Sequence, residues 1–372
     1  MMTLLSIRLA CRCALVAPVL CGALLAAPLL ALLPADDAAA AGPARIRVVA
    51  TLPNLGAIAT AIGGDRIELT TIAVGTQDAH FVDPKPSYMV KLRGADLLLI
   101  NGLDLEIGWI PPITQGARNA RILQGAPGYV DCSAGIRVVE IPSNLSRAEG
   151  DVHPYGNPHY LTDPLNAEVV AGTIAEALKR ADPASAQIYD EGRKRFVAHL
   201  YEALFGHDLV DLVGGAKLFR EAAAGTLDAF LDGTALGGAP LRSRLGGWLG
   251  RMQPVKGKPV ITYHKDYTYF ANRFGIRVID YIEPKPGIQP SAKHLEELIT
   301  RIQGGEARVI LTRPYVEHRS TDALAERTGA TIVTLPLEVG GAPEATDFFK
   351  LFDVVIDRVV AALAGPAPAG GR

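Results

Sequence analysis

The sequence predicts an α/β protein of two lobes joined by a helical connector, and three observations carry that reading. Short runs rich in β-branched and aliphatic residues alternate with helix-length stretches over residues 45–100, and again over 259–363. That alternation is the pattern of parallel βαβ units. Between the two blocks, residues 164–204 read as helix, with no strand-like run. Hydrophobic residues make up 49% of the 372 and charged residues 20%, a composition that packs a core and is unlike a disordered chain.

The elements follow in order. Residues 45–52 (RIRVVATL) form a first strand, and 54–62 a helix closed by Gly63 and Gly64. Residues 67–74 and 96–100 (DLLLI) are further strands, with a short helix over 87–93 between them. Asp163 and Pro164 then read as a helix start, with Asp as N-cap and Pro at the first helical position. Helical periodicity continues over 165–179, and Pro183 opens a second helix reaching Leu204. At about 22 residues this helix is about 33 Å long, enough to link two lobes. Residues 205–257, rich in Gly and Leu, read as short helices with flexible joints. Strands then fall at 259–263, 276–281, 308–312 and 331–335, alternating with helices at 267–274, 291–303 and 318–328. A last helix covers 345–363. The division is a leader at 1–41, a first lobe at 45–163, the connector at 164–204, an insertion at 205–257, a second lobe at 258–365 and a tail at 366–372.

The leader has a basic start (Arg8, Arg12), an apolar run over 14–33 broken only by Pro18, Gly22 and Pro28, and small residues at 38–41. That order is a cleaved secretory signal peptide. The run also approaches the ~20 residues that span a bilayer, which leaves a membrane anchor as the alternative. Cys21 follows Leu20 and makes a poor lipoprotein start. Cleavage removes Cys11, Cys13 and Cys21 and leaves Cys132 alone, so no internal disulfide is expected. The net charge of −2 argues against nucleic acid as a partner.

The chemistry lies in the histidines. His80 follows the strand ending near Val74, His264 ends the strand at 259–263, and His159 sits in the loop before Pro164. Open α/β sheets bind ligands outside the carboxyl ends of their strands. Spacings of 79 and 105 residues carry no local motif, so residue type alone leaves two readings open: a metal site, or three ordinary polar loop residues. His199 and His207 read as solvated, and His294 and His318 as helix-opening residues. His153 reads as an exposed turn residue, with an outer-sphere group or feeder ligand as the alternative. There is no G-x-S-x-G, S-x-x-K, P-loop or G-x-G-x-x-G, so no enzyme is expected.

Five stretches together resemble the zinc and manganese substrate-binding proteins of bacterial ABC transporters, the cluster A-I receptors. They are VVATLPNLGAIATAIGGD, QDAHFVDPKPSYMVKLRGADLLLINGLDLEIGWI, GNPHYLTDPLNA, VITYHKDYTYFANRFGI and TLPLEVGG. The resemblance implies two Rossmann-like lobes with parallel sheets, joined by a long rigid helix, with a metal site in the cleft between them. It implies a periplasmic, monomeric protein that delivers metal to an ABC permease and ATPase. The membrane is then met only through the permease or a lipid anchor. His80 matches the family's D-P-H ligand, here Asp78-Ala79-His80, and His159 matches the N-P-H ligand. His264 matches the third ligand, and Glu338 falls where the family usually has Asp. Asp347 or water are the alternatives to Glu338. Histidine at the third position implies Zn²⁺ in preference to Mn²⁺. The chain departs from the family at Arg313, where an acidic residue is frequent, and in having His153 alone where many zinc members carry a His-rich loop. Segment 205–257 is longer than usual and covers the cleft, contacts the permease or is inert. Competing readings are a manganese receptor, a zinc hydrolase with Asp83 or Glu283 as base, and an adhesin with a structural metal.

Overall fold

Residues that a parallel sheet covers on both faces must be apolar on both, and the strands here meet that demand. Val48, Val49 and Ala50 of β1 (Ile46–Ala50) are buried, as are all four residues of β3 (Leu97–Ile100). With β2 (Ile67–Thr71) and β4 (Tyr129–Asp131) they make a fully parallel sheet of order β2-β1-β3-β4. The structure, a computed structural model, describes residues 45–143, 153–285, 287–316 and 318–365, and the chain from Ala44 onward is one compact unit. The predicted signal segment at 1–41 and the tail at 366–372 lie outside the described residues. Among the described residues, no helix is long and apolar enough to cross a membrane.

Helices α1 (Pro53–Gly63), α2 (Pro86–Arg93) and α3 (Ile110–Ala117) connect these strands. Neither α3 nor β4 is expected from the sequence: α3 has Pro111 and Pro112 in its first turn and holds a glycine, and the three-residue β4 is too short to show a period. The next helix, α4 (Asn166–Ala181), starts later than Asp163 suggested. The Asp163 carboxylate accepts the Leu165 amide at 2.9 Å and also receives Arg273 Nε at 2.9 Å. It closes a turn and ties the second lobe down rather than acting as the N-cap.

Helix α5 (Ala186–Phe205) has 20 residues, about 30 Å of rod. At one end Gly192 touches α1 so closely that a Cβ would stand 2.1 Å from the Ile62 carbonyl oxygen. Farther along, the Phe196 ring packs against Phe348 and Phe349, with centroids 5.9 and 5.3 Å apart. His199, expected to be solvated, is exposed but stacks on Phe349 at 3.8 Å.

The segment after α5 does form short helices: α6 (His207–Val213), α7 (Gly215–Ala224) and α8 (Leu227–Gly233). A small hairpin of β5 (Ala235–Leu236) and β6 (Ala239–Pro240) follows, then α9 (Gly247–Met252). Leu209, Leu218 and Leu231 are fully buried, and Arg242 clasps Asp228 and Asp232. Arg273 donates to the Ala222 carbonyl at 3.0 Å, so α7 is held against the second lobe.

The second sheet repeats the first. Strands β7 (Pro259–Thr262), β8 (Arg277–Tyr281), β9 (Val309–Thr312) and β10 (Thr331–Thr334) are parallel in the order β10-β9-β7-β8. Helices α10 (Thr268–Phe274), α11 (Ala292–Gln303), α12 (Arg319–Thr328) and α13 (Phe348–Ala364) complete it. Helix α13 starts three residues later than expected, because Asp347 is its N-cap and accepts from the Phe349 and Lys350 amides. In each sheet the strand order reverses once, between β1 and β3 and between β7 and β9. Those are the switch points where an α/β sheet opens a crevice at its carboxyl edge.

The Gly192 contact gives a test of the connector. Gly192→Val forces α5 away from α1 and should cost about 2 kcal/mol, an overpacking penalty. Urea unfolding of the metal-free protein would show it as a lower midpoint at unchanged slope.

Candidate metal centre

Two histidines of the first lobe are set by the same local device. An Asx side chain two residues earlier accepts the backbone N–H of the histidine and closes a tight turn. Asp78 Oδ1 accepts the His80 amide at 3.0 Å, and Asn157 Oδ1 accepts the His159 amide at 2.9 Å. Asp78 Oδ1 also accepts from His80 Nδ1 at 2.6 Å. A carboxylate on Nδ1 selects the tautomer whose Nε2 carries a lone pair, the arrangement typical of metal-ligating histidines. Burial pushes the Asp78 carboxyl up, but His80 and the Arg313 charge outweigh it and hold it well below the usual range.

The loop bearing His159 is anchored from below by Glu106. This buried carboxylate accepts from Thr51 Oγ1 at 2.7 Å, the Asn101 amide at 2.6 Å and the Gly102 amide at 3.1 Å. Asn101 in turn donates to the Pro158 carbonyl at 3.0 Å and accepts from Tyr160 Oη at 2.8 Å. Burial pushes the Glu106 carboxyl up to about 7. Glu106 was not singled out by sequence reasoning; a lone acidic residue in LDLEIGW gives no signal of being buried.

His264 comes from the second lobe, directly after β7. Its Nδ1 lies 3.3 Å from Glu283 Oε1. Two residues on, Asp266 is fully buried, with Oδ1 at 3.3 Å from His159 Nε2 and at 3.1 Å from Arg313 Nη1. Arg313, the departure noted in the sequence, follows β9 and is 5% exposed. It also reaches Asp78 Oδ2 of the first lobe at 3.7 Å. Burial opposes its charge, but Asp266, Tyr315 and Asp78 more than offset that and raise its pKa.

The three expected histidines therefore converge. Ring centroids lie 5.2 Å apart for His80 and His159, 5.9 Å for His159 and His264, and 6.2 Å for His80 and His264. His159 Nε2 and Asp266 Oδ2 are buried atoms without a hydrogen-bond partner, and His264 Nδ1 has only Glu283 Oε1, at 3.3 Å. A packed protein rarely tolerates such orphans unless something else meets them. Two overlapping groups have donor atoms mutually within 4.8 Å: His80, His153 and His159, and then His159, His264 and Asp266.

His153 corrects the expectation of an exposed turn residue. It is half-buried, and its Nε2 lies 3.1 Å from His80 Nε2. Burial and the neighbouring His80 and His264 push its pKa down to about 3, and burial with the same neighbours drives His159 well below its ordinary value. Glu338 lines a cavity of about 30 Å³ with His80 and His159, yet its Oε2 accepts the Asn54 amide at 2.8 Å. It stands outside both donor groups, as does the helix-capping Asp347. Of the two candidate bases, Asp83 is exposed on its loop and Glu283 faces His264.

A family model described as zinc-uptake complex component A, periplasmic (ZnuA) matches residues 48–203 and 248–362. The chain belongs to this family. The match passes over 204–247, most of the segment expected as an insertion. The manganese ABC transporter substrate-binding lipoprotein PsaA of Streptococcus mitis is 28% identical over 332 residues, covering 87% of this chain and 91% of that protein. The metal ABC transporter substrate-binding lipoprotein ScbA of Streptococcus cristatus is 30% identical over 159 residues, 43% of this chain. The chain spans about half the length of that relative, 49%. Among solved structures, a zinc-bound deletion mutant of ZnuA superposes with a TM-score of 0.64 at 20% identity, covering 87% of this chain and 100% of the other. The manganese-bound periplasmic metal-binding protein of Candidatus Liberibacter asiaticus does so at 0.60 and 18%, covering 86% and 100%. At these identities the likeness is one of fold, and it is the two-lobed fold expected from the sequence.

Burial pushes the Glu338 carboxyl up to about 8. The folded protein then holds a proton that the unfolded chain releases near its ordinary value. That contribution to stability is present below about pH 4.3 and is lost as pH rises through about 8. Metal-free wild type should lose more thermal stability between about pH 6 and about pH 9 than Glu338→Gln. Parallel melting curves for the two would contradict this placement of the carboxyl.

Proposed function

We propose that the protein is an extracytoplasmic receptor that captures Zn²⁺ in the interlobe cleft and hands it to an ABC permease and ATPase. The observation that carries this reading is the convergence of His80, His159 and His264, drawn from both lobes, with His159 Nε2 buried there without a hydrogen bond. Neutral imidazole suits zinc, whereas Mn²⁺ prefers harder oxygen donors. Relatives named for manganese, iron and unspecified metals support the receptor class and leave the choice of metal to the donor set.

Zn²⁺ bound by groups from both lobes crosslinks them and stabilises one arrangement. Helix α5, packed on both α1 and α13, limits how far they can part. Release then needs only a small displacement of ligands. The predicted signal segment exports the protein to the periplasm, where it acts as a monomer, with Glu338 or another group as fourth ligand. A hydrolase would need a general base beside an open metal position. Glu283, the one candidate near the cluster, is turned to His264, and burial, which pushes it up, is outweighed by His264 and the Gly287 amide.

The test is a titration of chelator-stripped protein with Zn²⁺, and separately Mn²⁺, against a chromophoric chelator. One tight zinc site and much weaker manganese are expected, and manganese preferred over zinc would overturn the metal assignment. Imidazole must be deprotonated to ligate, and burial holds His159 and His153 neutral well below their ordinary value, so their protonation should weaken zinc only at a pH far below 6.5, near 3 for His153. Asp78→Asn, which removes the carboxylate behind His80, should weaken zinc about 10- to 100-fold. The stripped protein should keep its circular dichroism spectrum; unfolding on metal removal would favour the adhesin reading.

A further inference from the structure

We infer that His153 is the fourth metal ligand, completing an all-imidazole site of His80, His153, His159 and His264. This rests on the receptor reading above and specifies its donor set. Two nitrogens bound to one zinc at ~2.05 Å and tetrahedral angles stand about 3.3 Å apart. His80 Nε2 and His153 Nε2 stand 3.1 Å apart, and both fall in one donor group with His159; His264 falls in the second group, linked through His159, and has to move inward to complete the four. His80 carries its proton on Nδ1, facing Asp78. In the metal-free protein the His153 Nε2–H therefore donates to the His80 lone pair. When zinc binds, His153 loses its Nε2 proton to solvent and takes one up at Nδ1, so that it ligates through Nε2 as a neutral imidazole.

The backbone brings His153 there by a built turn. The Gly156 amide donates to the His153 carbonyl at 3.1 Å, and the Asn157 amide to the Val139 carbonyl at 2.9 Å. Gly156 has φ +100°, and a Cβ on it would stand 2.4 Å from Val138 Cγ1. The turn folds His153 back over the same cleft that His159 enters six residues later. His153 and His159 rings lie 6.4 Å apart, and His153 and His80 rings 5.1 Å.

The carboxylates are committed elsewhere. Glu338 Oε2 holds the Asn54 amide, while the Asn54 side chain bonds the Leu337 carbonyl at 2.9 Å and the Val339 amide at 2.9 Å, pinning the residue from both sides. Asp266 Oδ1 serves Arg313, and ligation through that oxygen would strip a buried guanidinium of its nearest counter-charge. The outer charges also balance. Asp78, Asp266 and Glu283 against Arg313 leave a formal charge of two negatives around four neutral ligands, the complement of one divalent cation.

The experiment compares wild type, His153→Ala, His153→Asn and Glu338→Gln by Zn²⁺ competition and by the visible spectrum of the Co²⁺-loaded protein. His153 variants should bind zinc at least about 10- to 100-fold more weakly, the loss already seen for outer-sphere partners. Their Co²⁺ bands should lose the intensity of a four-nitrogen tetrahedral site, while Glu338→Gln keeps wild-type affinity and bands. Unchanged affinity and spectrum in both His153 variants would overturn the inference and leave the receptor reading standing. Wild type that takes up no zinc would overturn both.

Discussion

The guanidinium of Arg313 cannot give up its proton, and at 5% exposure it cannot do without counter-charge. A buried charge left unpaired costs several kcal/mol. Its two partners, Asp266 at 3.1 Å and Asp78 at 3.7 Å, come from opposite lobes. The pairing decides much of the cleft. It leaves Asp78 ionised, free to fix the His80 tautomer, and it engages Asp266 Oδ1. Burial first, and then the neighbouring His80 and His264, drive His153 and His159 toward the neutral form that a metal requires, and Arg313 adds to this at His159. The cluster is thus poised for a metal ion rather than for protons.

Around that charge the architecture is doubled. Each sheet reverses its strand order once, and each reversal opens toward the same cleft. Residues at the carboxyl ends of β1, β3, β7 and β9 meet there: Asn54, Asn101, His264 and Arg313. The lobes are stitched on both sides of the histidines. Asn54 holds the chain at Leu337 and Val339, and Asn157 donates to the Lys265 carbonyl at 2.8 Å. Tyr269 Oη, from α10, donates to the Asn157 carbonyl at 2.9 Å and accepts from the Val139 amide at 3.2 Å. With α5 packed on both halves, capture and release depend on side chains and loop turns more than on a wide hinge.

Much of this was legible in the chain. Seven of the ten strands among the described residues fall in the two alternating blocks, and all seven coincide closely with runs rich in aliphatic or β-branched residues. His80, His159 and His264 were marked by their places at strand ends and in a loop, and by the resemblance of GNPHYLTDP and VITYHKDYTYF to a known family. What failed had local causes. Asp163 resembles an N-cap in sequence, but its carboxylate accepts the Leu165 amide in a turn and is shared with Arg273, a partner 110 positions away that no local pattern shows. His153 looked like surface because a turn residue's burial depends on what folds over it.

The sequence by itself determined the fold class, the pairing of two α/β lobes and the connector, because periodicity is a local property, and short stretches resembling a known family marked the three histidines. Only the tertiary structure decided the rest. It placed His153 against His80, gave Glu338 to the Asn54 amide, and buried Arg313 between two aspartates. These are contacts across 73, 284 and 47 residues of chain. Electrostatic complementarity over such separations is fixed by packing, and no local pattern encodes it.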